Sequence, residues 1–141
     1  MRFLVDTNVF LDTILKRENH ENSDNFFAFC CAYKNPIYIT SMSLRDIRYV
    51  VHRIKHDEKQ AIEAQMKAYR ICSKVVGISA DDAIESLYSD FKDYEDSLIN
   101  EAAKSNMVDA IITNNKRDFI AGEVPTYTPE EILKYTGLFE K

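Results

Sequence analysis

Three glycines and three prolines in 141 residues leave little material for long flexible linkers. No Gly-Lys pair followed by Ser or Thr occurs, which excludes a P-loop. Cysteine is scarce too. Cys30, Cys31 and Cys72 are odd in number, two are adjacent and no CxxC is present, so a zinc site is not expected. The three thiols read instead as small buried groups on helices. No apolar run approaches the ~20 residues of a membrane helix. Arg2 precedes only a three-residue apolar patch that Asp6 interrupts, which is not a signal peptide, so a cytoplasmic protein is expected. Positive charge is in deficit, with a formal net charge of −5. That balance argues against a chain that coats nucleic acid through its overall field, but not against one that holds it at a single local site. With 45% hydrophobic and 29% charged residues, the chain has the composition of an ordinary globular domain, and a single domain over residues 1–141 is expected.

What is present is an alternation of short β-prone runs with longer helical ones. Residues 3–5, 37–40, 75–79, 108–113 and 125–127 are short and continuously apolar or β-branched, as strands buried on both faces are. Between them, helices are expected over 8–16, 24–33, 43–55, 57–72, 80–88 and 94–105. A last one follows Thr128, which offers a threonine cap with Pro129 at the first helical position. Strands alternating with helices predict an α/β fold, a three-layer α/β/α sandwich around a central parallel sheet. Such folds place their sites beyond the carboxyl ends of the strands.

Several acids are predicted to lie there. Asp6 is the first polar residue past strand one. Asp46 follows strand two on a helix whose apolar residues are Leu44, Ile47, Val51 and Ile54; it falls at the edge of that arc, about 40° beyond Val50. In "FKDYEDSLINEAA", Leu98, Ile99, Ala102 and Ala103 make the apolar face, and Asp93, Asp96 and Asn100 run along its edge. Asp93 and Asp96, one turn apart at about 5–6 Å between β-carbons, repel each other unless a cation lies between them. After strand four come Thr113, Asn114, Asn115 and Asp118; Asp109, early in that strand, is expected at the far end of the sheet, facing solvent. Taken alone, Asp93 and Asp96 read better as surface acids near a helix N-terminus, and Asp46 reads equally as a partner of Arg45 or Arg48. Taken together, Asp6, Asp46, Asp96 and a residue of the 115–118 loop form an all-oxygen donor set suited to Mg²⁺ or Mn²⁺ and to phosphoryl chemistry.

Four segments, "LVDTNVFLD", "ITSMSLRDI", "DYEDSLINEAA" and "IITNNKRDF", resemble in order and spacing those of the PIN-domain ribonucleases, most closely the bacterial single-domain members. The resemblance covers nearly the whole chain. It implies that Asp6, Asp46 and Asp96 are the first three acids of a Mg²⁺- or Mn²⁺-dependent endoribonuclease. Thr7, Asn8 and Thr113 are then supporting polar groups. It also implies that the chain is the toxin of a toxin–antitoxin pair, with an RNA substrate, an antitoxin protein partner and a homodimeric state. Two positions depart from the family pattern. The second acid is more often Glu than Asp, and the fourth often stands two residues after the threonine, where this chain has Asn115. Asp118 or Asp93 is then left to complete the site.

Other readings fit less well. A receiver domain wants an acidic pair at the end of strand one, where Val5 precedes Asp6, and a haloacid-dehalogenase phosphatase wants a second acid where Asn8 stands. A catalytically weak PIN-like module that binds RNA or protein remains the alternative, kept open by Asn115. For RNA contact, Arg45, Arg48 and His52 share the arc opposite the apolar face of their helix, with Tyr49 between them to stack on a base; Arg53 lies on the same helix. A solvated, charge-paired helix face explains the same residues. Phe26, Phe27, Phe29 and Tyr33 are a further candidate surface, though such residues are more often core.

Overall fold

A computed structural model describes residues 1–137. Five strands, β1 (Phe3–Val5), β2 (Ile37–Thr40), β3 (Lys74–Val76), β4 (Ala110–Ile112) and β5 (Thr126–Tyr127), form one sheet in the order β3-β2-β1-β4-β5. Every neighbouring pair is parallel. Helices α1 (Thr7–Leu15) and α2 (His20–Ala32) connect β1 to β2. Between β2 and β3 come α3 (Ser41–Lys55) and α4 (Glu58–Ile71), then α5 (Ala80–Leu87) and α6 (Tyr94–Ser105) lead to β4, and α7 (Pro129–Tyr135) follows β5. The expected α/β fold around a central parallel sheet is the one observed.

The pleat explains the layers. Phe3, Val5, Ile37, Ile39, Ala110 and Ile112 point to one face, where α1, α2, α3, α4 and α7 supply Phe10, Phe26, Ile47, Ala64 and Ile132. Leu4, Val76 and Ile111 point to the other, against Ile99, Ala102 and Ala103 of α6 and against Phe119. Both faces are therefore dry, and each fully buried Phe, Leu or Ile contributes about 1.5–3 kcal/mol. Phe26, Phe27 and Phe29 are buried in the first of these layers; only Tyr33 of that candidate surface is exposed. Of the cysteines, Cys30 is buried, but Cys31 is exposed and Cys72 is half-buried at the end of α4, so the expectation of three buried thiols fails for Cys31.

Two boundaries differ from the sequence expectation for local reasons. Helix α2 starts at His20 rather than 24, because Ser23 packs fully inside and His20 meets Asp24 one turn on at 3.1 Å. Strand β4 starts at Ala110, not 108, because the Val108 amide is held by the Ala103 carbonyl at the end of α6. Asp109 then lies before the strand, exposed, accepting the Arg2 amide at 2.6 Å, which is the solvent-facing end expected for it. Among the described residues no helix is long and apolar enough to cross a membrane.

Candidate functional site

The strand order reverses at β1. The chain leaves it toward β2 and β3, then returns on its other side as β4. A crevice opens at the carboxyl ends where that happens. It is a cleft of about 420 Å³, lined by Asp6, Thr7 and Asn8 from β1 and α1, Arg45, Asp46 and Tyr49 from α3, Asp93, Glu95 and Asp96 from α6, and Asn115 and Asp118 beyond β4. Four chain segments separated by up to 112 residues thus bring five aspartates and one glutamate to one depression.

Asp6 is the most enclosed of them. It occupies the N-cap position of α1 yet makes no side-chain cap, unlike Thr40, Asp57, Ser79, Asp93 and Thr128 on other helices. Its carboxylate instead accepts the Thr113 hydroxyl at 2.9 Å across the β1–β4 seam. Burial pushes its pKa up to about 6; the Thr113 hydroxyl and the Thr7 amide offset part of that, while Asp118 and Asp12 add to it. Asp96 is pushed up to about 7, first by burial, then by the charges of Asp6, Asp93, Asp118 and Glu95. Neither Asp6 nor Asp96 has a cationic partner among the described residues. Asp6 and Asp96 therefore lie among like charges with no cation of their own to neutralise them.

The other walls differ. Asp93 caps α6, its Oδ1 accepting the Glu95 amide at 2.8 Å and, more weakly, that of Asp96 at 3.4 Å, which leaves Oδ2 free of those bonds. Asp46 reaches the cleft but is held by Arg45 Nη2 at 2.9 Å. Asn115 precedes, and Asp118 lies within, a short 3-10 helix, Lys116–Phe119, in the segment expected to be a loop. The Asn115 amide donates to Thr113 Oγ1, so Thr113 ties this loop to Asp6. Thr7 turns its hydroxyl to Ser43 at 2.7 Å, joining α1 to α3, and Asn8 accepts Arg17 at 3.3 Å. Arg48 does not line the cleft; it is bound to Glu58 at the start of α4 by a 2.6 Å ion pair.

Sequence reasoning passed over Asp12. It is buried on α1, accepts Asn114 Nδ2 at 2.7 Å and lies 3.8 Å from Arg17, so it clips the β4 loop to α1. The one signal available was its i+4 spacing from Asn8. Asn100, placed by periodicity along the edge of the apolar face of its helix, is buried.

An all-oxygen donor set of this kind suits a hard divalent cation. Among the described residues, no three His, Cys, Asp or Glu side chains are close enough to hold one ion as they stand. The donor types fit such an ion; the carboxylates ring the cleft without closing on one point.

The fold has clear relatives among solved structures. A FitAB complex bound to the IR36 DNA fragment matches with a TM-score of 0.72 at 15% identity, covering 90% of this chain and 94% of that one. VapBC2 from Rickettsia felis, bound to a DNA fragment from its promoter, gives 0.69 at 18% identity over 91% and 98%. Mycobacterium tuberculosis VapC20, a toxin that cleaves the sarcin-ricin loop, gives 0.60 at 14% identity over 77% and 86%. No curated protein matches the sequence significantly. The PIN domain family matches residues 2–117, the stretch that runs from β1 to the residue before Asp118, and the chain belongs to that family.

Proposed function

We propose that this protein is a divalent-metal-dependent endoribonuclease and the toxin of a toxin–antitoxin pair. The observation that carries the reading is the convergence of Asp6, Asp93, Asp96 and Asp118 on one cleft, in which burial raises the pKa of Asp6, burial and the charge of Asp6 raise that of Asp96, and neither has a cationic partner among the described residues. Mg²⁺ or Mn²⁺ would be held by Asp6 and Asp96, with Asp93 or Asp118 and, if Arg45 releases it, Asp46. Bound there, the ion would supply an activated water and charge neutralisation for in-line attack on a phosphodiester. The chain's own residues do the rest. Thr113 fixes the Asp6 rotamer and the loop bearing Asn115 and Asp118. Thr7 locks α1 to α3 through Ser43. Asn8 and Asn115 offer neutral polar groups on the rim to orient water or a phosphate oxygen.

Arg45 and Tyr49 stand on the α3 side of the same cleft, and both also border a second recess with Arg48, His52 and Glu58. They are the contacts proposed for RNA on either side of the reacting phosphate, Tyr49 stacking on a base with Arg53 5.9 Å from its ring. The antitoxin partner is proposed from the structural likeness to a toxin–antitoxin complex from Klebsiella pneumoniae, with a TM-score of 0.62 at 23% identity. A groove along α1, α3 and α4, floored by Ile14, Leu15, Val51 and Ala64 and rimmed by Lys55, Lys67 and Arg70 with one acid, Glu63, suits an amphipathic segment of net negative charge. A homodimer belongs to the same proposal and is read by light scattering.

The test is cleavage of a labelled stem-loop RNA with Mg²⁺ or Mn²⁺, with chelator, and with Asp6→Asn. Metal-dependent cutting that Asp6→Asn abolishes is expected. Metal-independent cutting, or no cutting together with unaltered RNA affinity in Asp6→Asn, overturns the reading and leaves a non-cleaving binding module. Asn115 in place of an acid is the feature that favours that second reading.

A further inference from the structure

Beneath the cleft lies a contact that neither the acids nor the family pattern explains. Asn100 sits one helical turn after Asp96 and is 96% buried, with Oδ1 lacking a hydrogen-bond partner among the described residues. A buried amide in that state is costly and calls for a reason. What Oδ1 faces is Gly122. A β-carbon built on Gly122 would collide with Asn100 Oδ1 and lie 3.0 Å from both Asn100 Cγ and Phe91 Cζ. Only a hydrogen fits.

The three participants each belong to an acid-bearing segment. Phe91 precedes Asp93 by two residues. Asn100 is on α6 with Asp96. Gly122 closes the turn after Asp118, its amide donating to the Phe119 carbonyl. Phe119, buried, packs edge-to-face on Phe91 with ring centroids 5.9 Å apart and belongs to the core layer that contains Ile99 and Ala103 of α6. The depth to which the 116–122 segment sinks against α6 is therefore set where Gly122 meets Asn100 and Phe91. That depth fixes the distance between the Asp96 wall and the Asp118 wall of the cleft above.

We propose that Asn100 and Gly122 are positioning residues: their close approach sets the width of the acid cleft between α6 and the Lys116–Phe119 turn. The proposal rests on the nuclease reading for its consequence in catalysis, but not for its geometry. The expected effect of Gly122→Ala is displacement of the turn from α6, weaker Mn²⁺ binding and loss of RNA cleavage by about 10- to 100-fold, as for a misplacement near 1 Å.

The experiment is a cycle of Gly122→Ala, Asn100→Ala and the double variant, read three ways: crystal structures, Mn²⁺ affinity by calorimetry, and kcat for RNA cleavage, with thermal melts as a control for folding. In Gly122→Ala the 116–119 turn should shift relative to α6, with Mn²⁺ affinity falling in step. In the double variant, where Asn100 no longer occupies the space, all readouts should return to within about twofold of Asn100→Ala alone, the ordinary error for additive sites. If Gly122→Ala fails to fold while the double variant folds, the contact is equally established. A double variant as impaired as Gly122→Ala shows that Gly122 serves its own backbone rather than Asn100, and overturns the proposal. So does a Gly122→Ala structure in which the turn has not moved. If the wild type neither binds Mn²⁺ nor cleaves RNA, the nuclease reading falls, and the two structures still decide the positioning claim.

Discussion

Two kinds of enclosed carboxylate coexist in this chain, all buried except the half-buried Asp96. Asp82, at the start of α5, is almost fully enclosed and fully partnered: Oδ2 accepts the Ser79 amide at 3.1 Å in a reciprocal capping box, and Oδ1 accepts the Ser105 hydroxyl at 2.5 Å. Asp12 likewise has Asn114 and Arg17. Asp6 and Asp96, at the carboxyl ends of the strands, have one hydroxyl between them and several like charges. The fold thus supplies partners for the acids that hold it together and withholds them from the acids of the cleft. A carboxylate kept short of partners destabilises the empty protein and is poised to gain from a cation.

The largest expected effect tests that division directly. Asp6→Asn and Asp96→Asn should each lower metal-dependent RNA cleavage on the order of 100-fold or more, the scale of removing a group aimed at developing charge. Asp82→Asn should leave kcat unchanged per folded molecule while lowering the melting temperature, since a donor amide facing the Ser79 N–H leaves a buried group unpaired at about 1–3 kcal/mol. Activity surviving in Asp96→Asn, or lost in a well-folded Asp82→Asn, would erase the distinction.

Stability should move the opposite way. Asp6 and Asp96 have pKa values near 6 and 7 in the folded protein against 3.8 for a free aspartate. Between those limits the folded state binds more protons than the unfolded one, so stability falls as pH rises from 4 toward 7. For Asp6 the penalty above pH 7 is on the order of 3 kcal/mol, at about 1.4 kcal/mol per unit. The metal-free Asp6→Asn/Asp96→Asn variant should therefore melt several degrees above wild type at pH 8 and converge with it near pH 4. Saturating Mn²⁺ should close much of the gap at pH 8 by stabilising the wild type alone. Melting curves of wild type that are flat from pH 5 to 8 would mean that the carboxylates have partners after all.

The sequence carried the frame well because its signals are local. Continuous apolar runs gave the strands; periodicity gave α3 and α6; Thr128-Pro129 gave α7, whose capping box the structure shows in full. That Asp6, Asp46, Asp96 and Asp118 line one cleft followed from strand ends lying at one edge of a parallel sheet. What stayed hidden depends on the third dimension. Asn100 sits at the margin of an apolar face, and periodicity alone assigns a polar residue there to solvent; its burial comes from Phe91 and the 116–122 segment closing over it. Asp12 and Asn114 are 102 residues apart, with no local pattern linking them. Arg45 and Arg48 share a helical arc, but their partners come from different elements.

Those two arginines give the smallest expected effect, and the same contrast between partnered and unpartnered charge orders them. Both are ion-paired in the structure, Arg45 with Asp46 at 2.9 Å and Arg48 with Glu58 at 2.6 Å. Their partners differ in what else they can do. Asp46 lies on the acid cleft, so a divalent cation there competes for its carboxylate and frees Arg45 for a phosphate. Glu58 borders only the second recess and keeps its hold on Arg48 and His52. With Mn²⁺ present and cleavage blocked by Asp6→Asn, Arg45→Ala should weaken single-stranded RNA binding and lower the log–log salt slope by about 0.7, the loss of one phosphate contact. Arg48→Ala should change the slope less, and Glu58→Gln should raise the contribution of Arg48 toward that of Arg45. Equal slopes for the two alanine variants would show that RNA draws Arg48 away from Glu58 as readily as metal draws Asp46 from Arg45, and that partnering in the empty protein does not govern which cation meets the substrate.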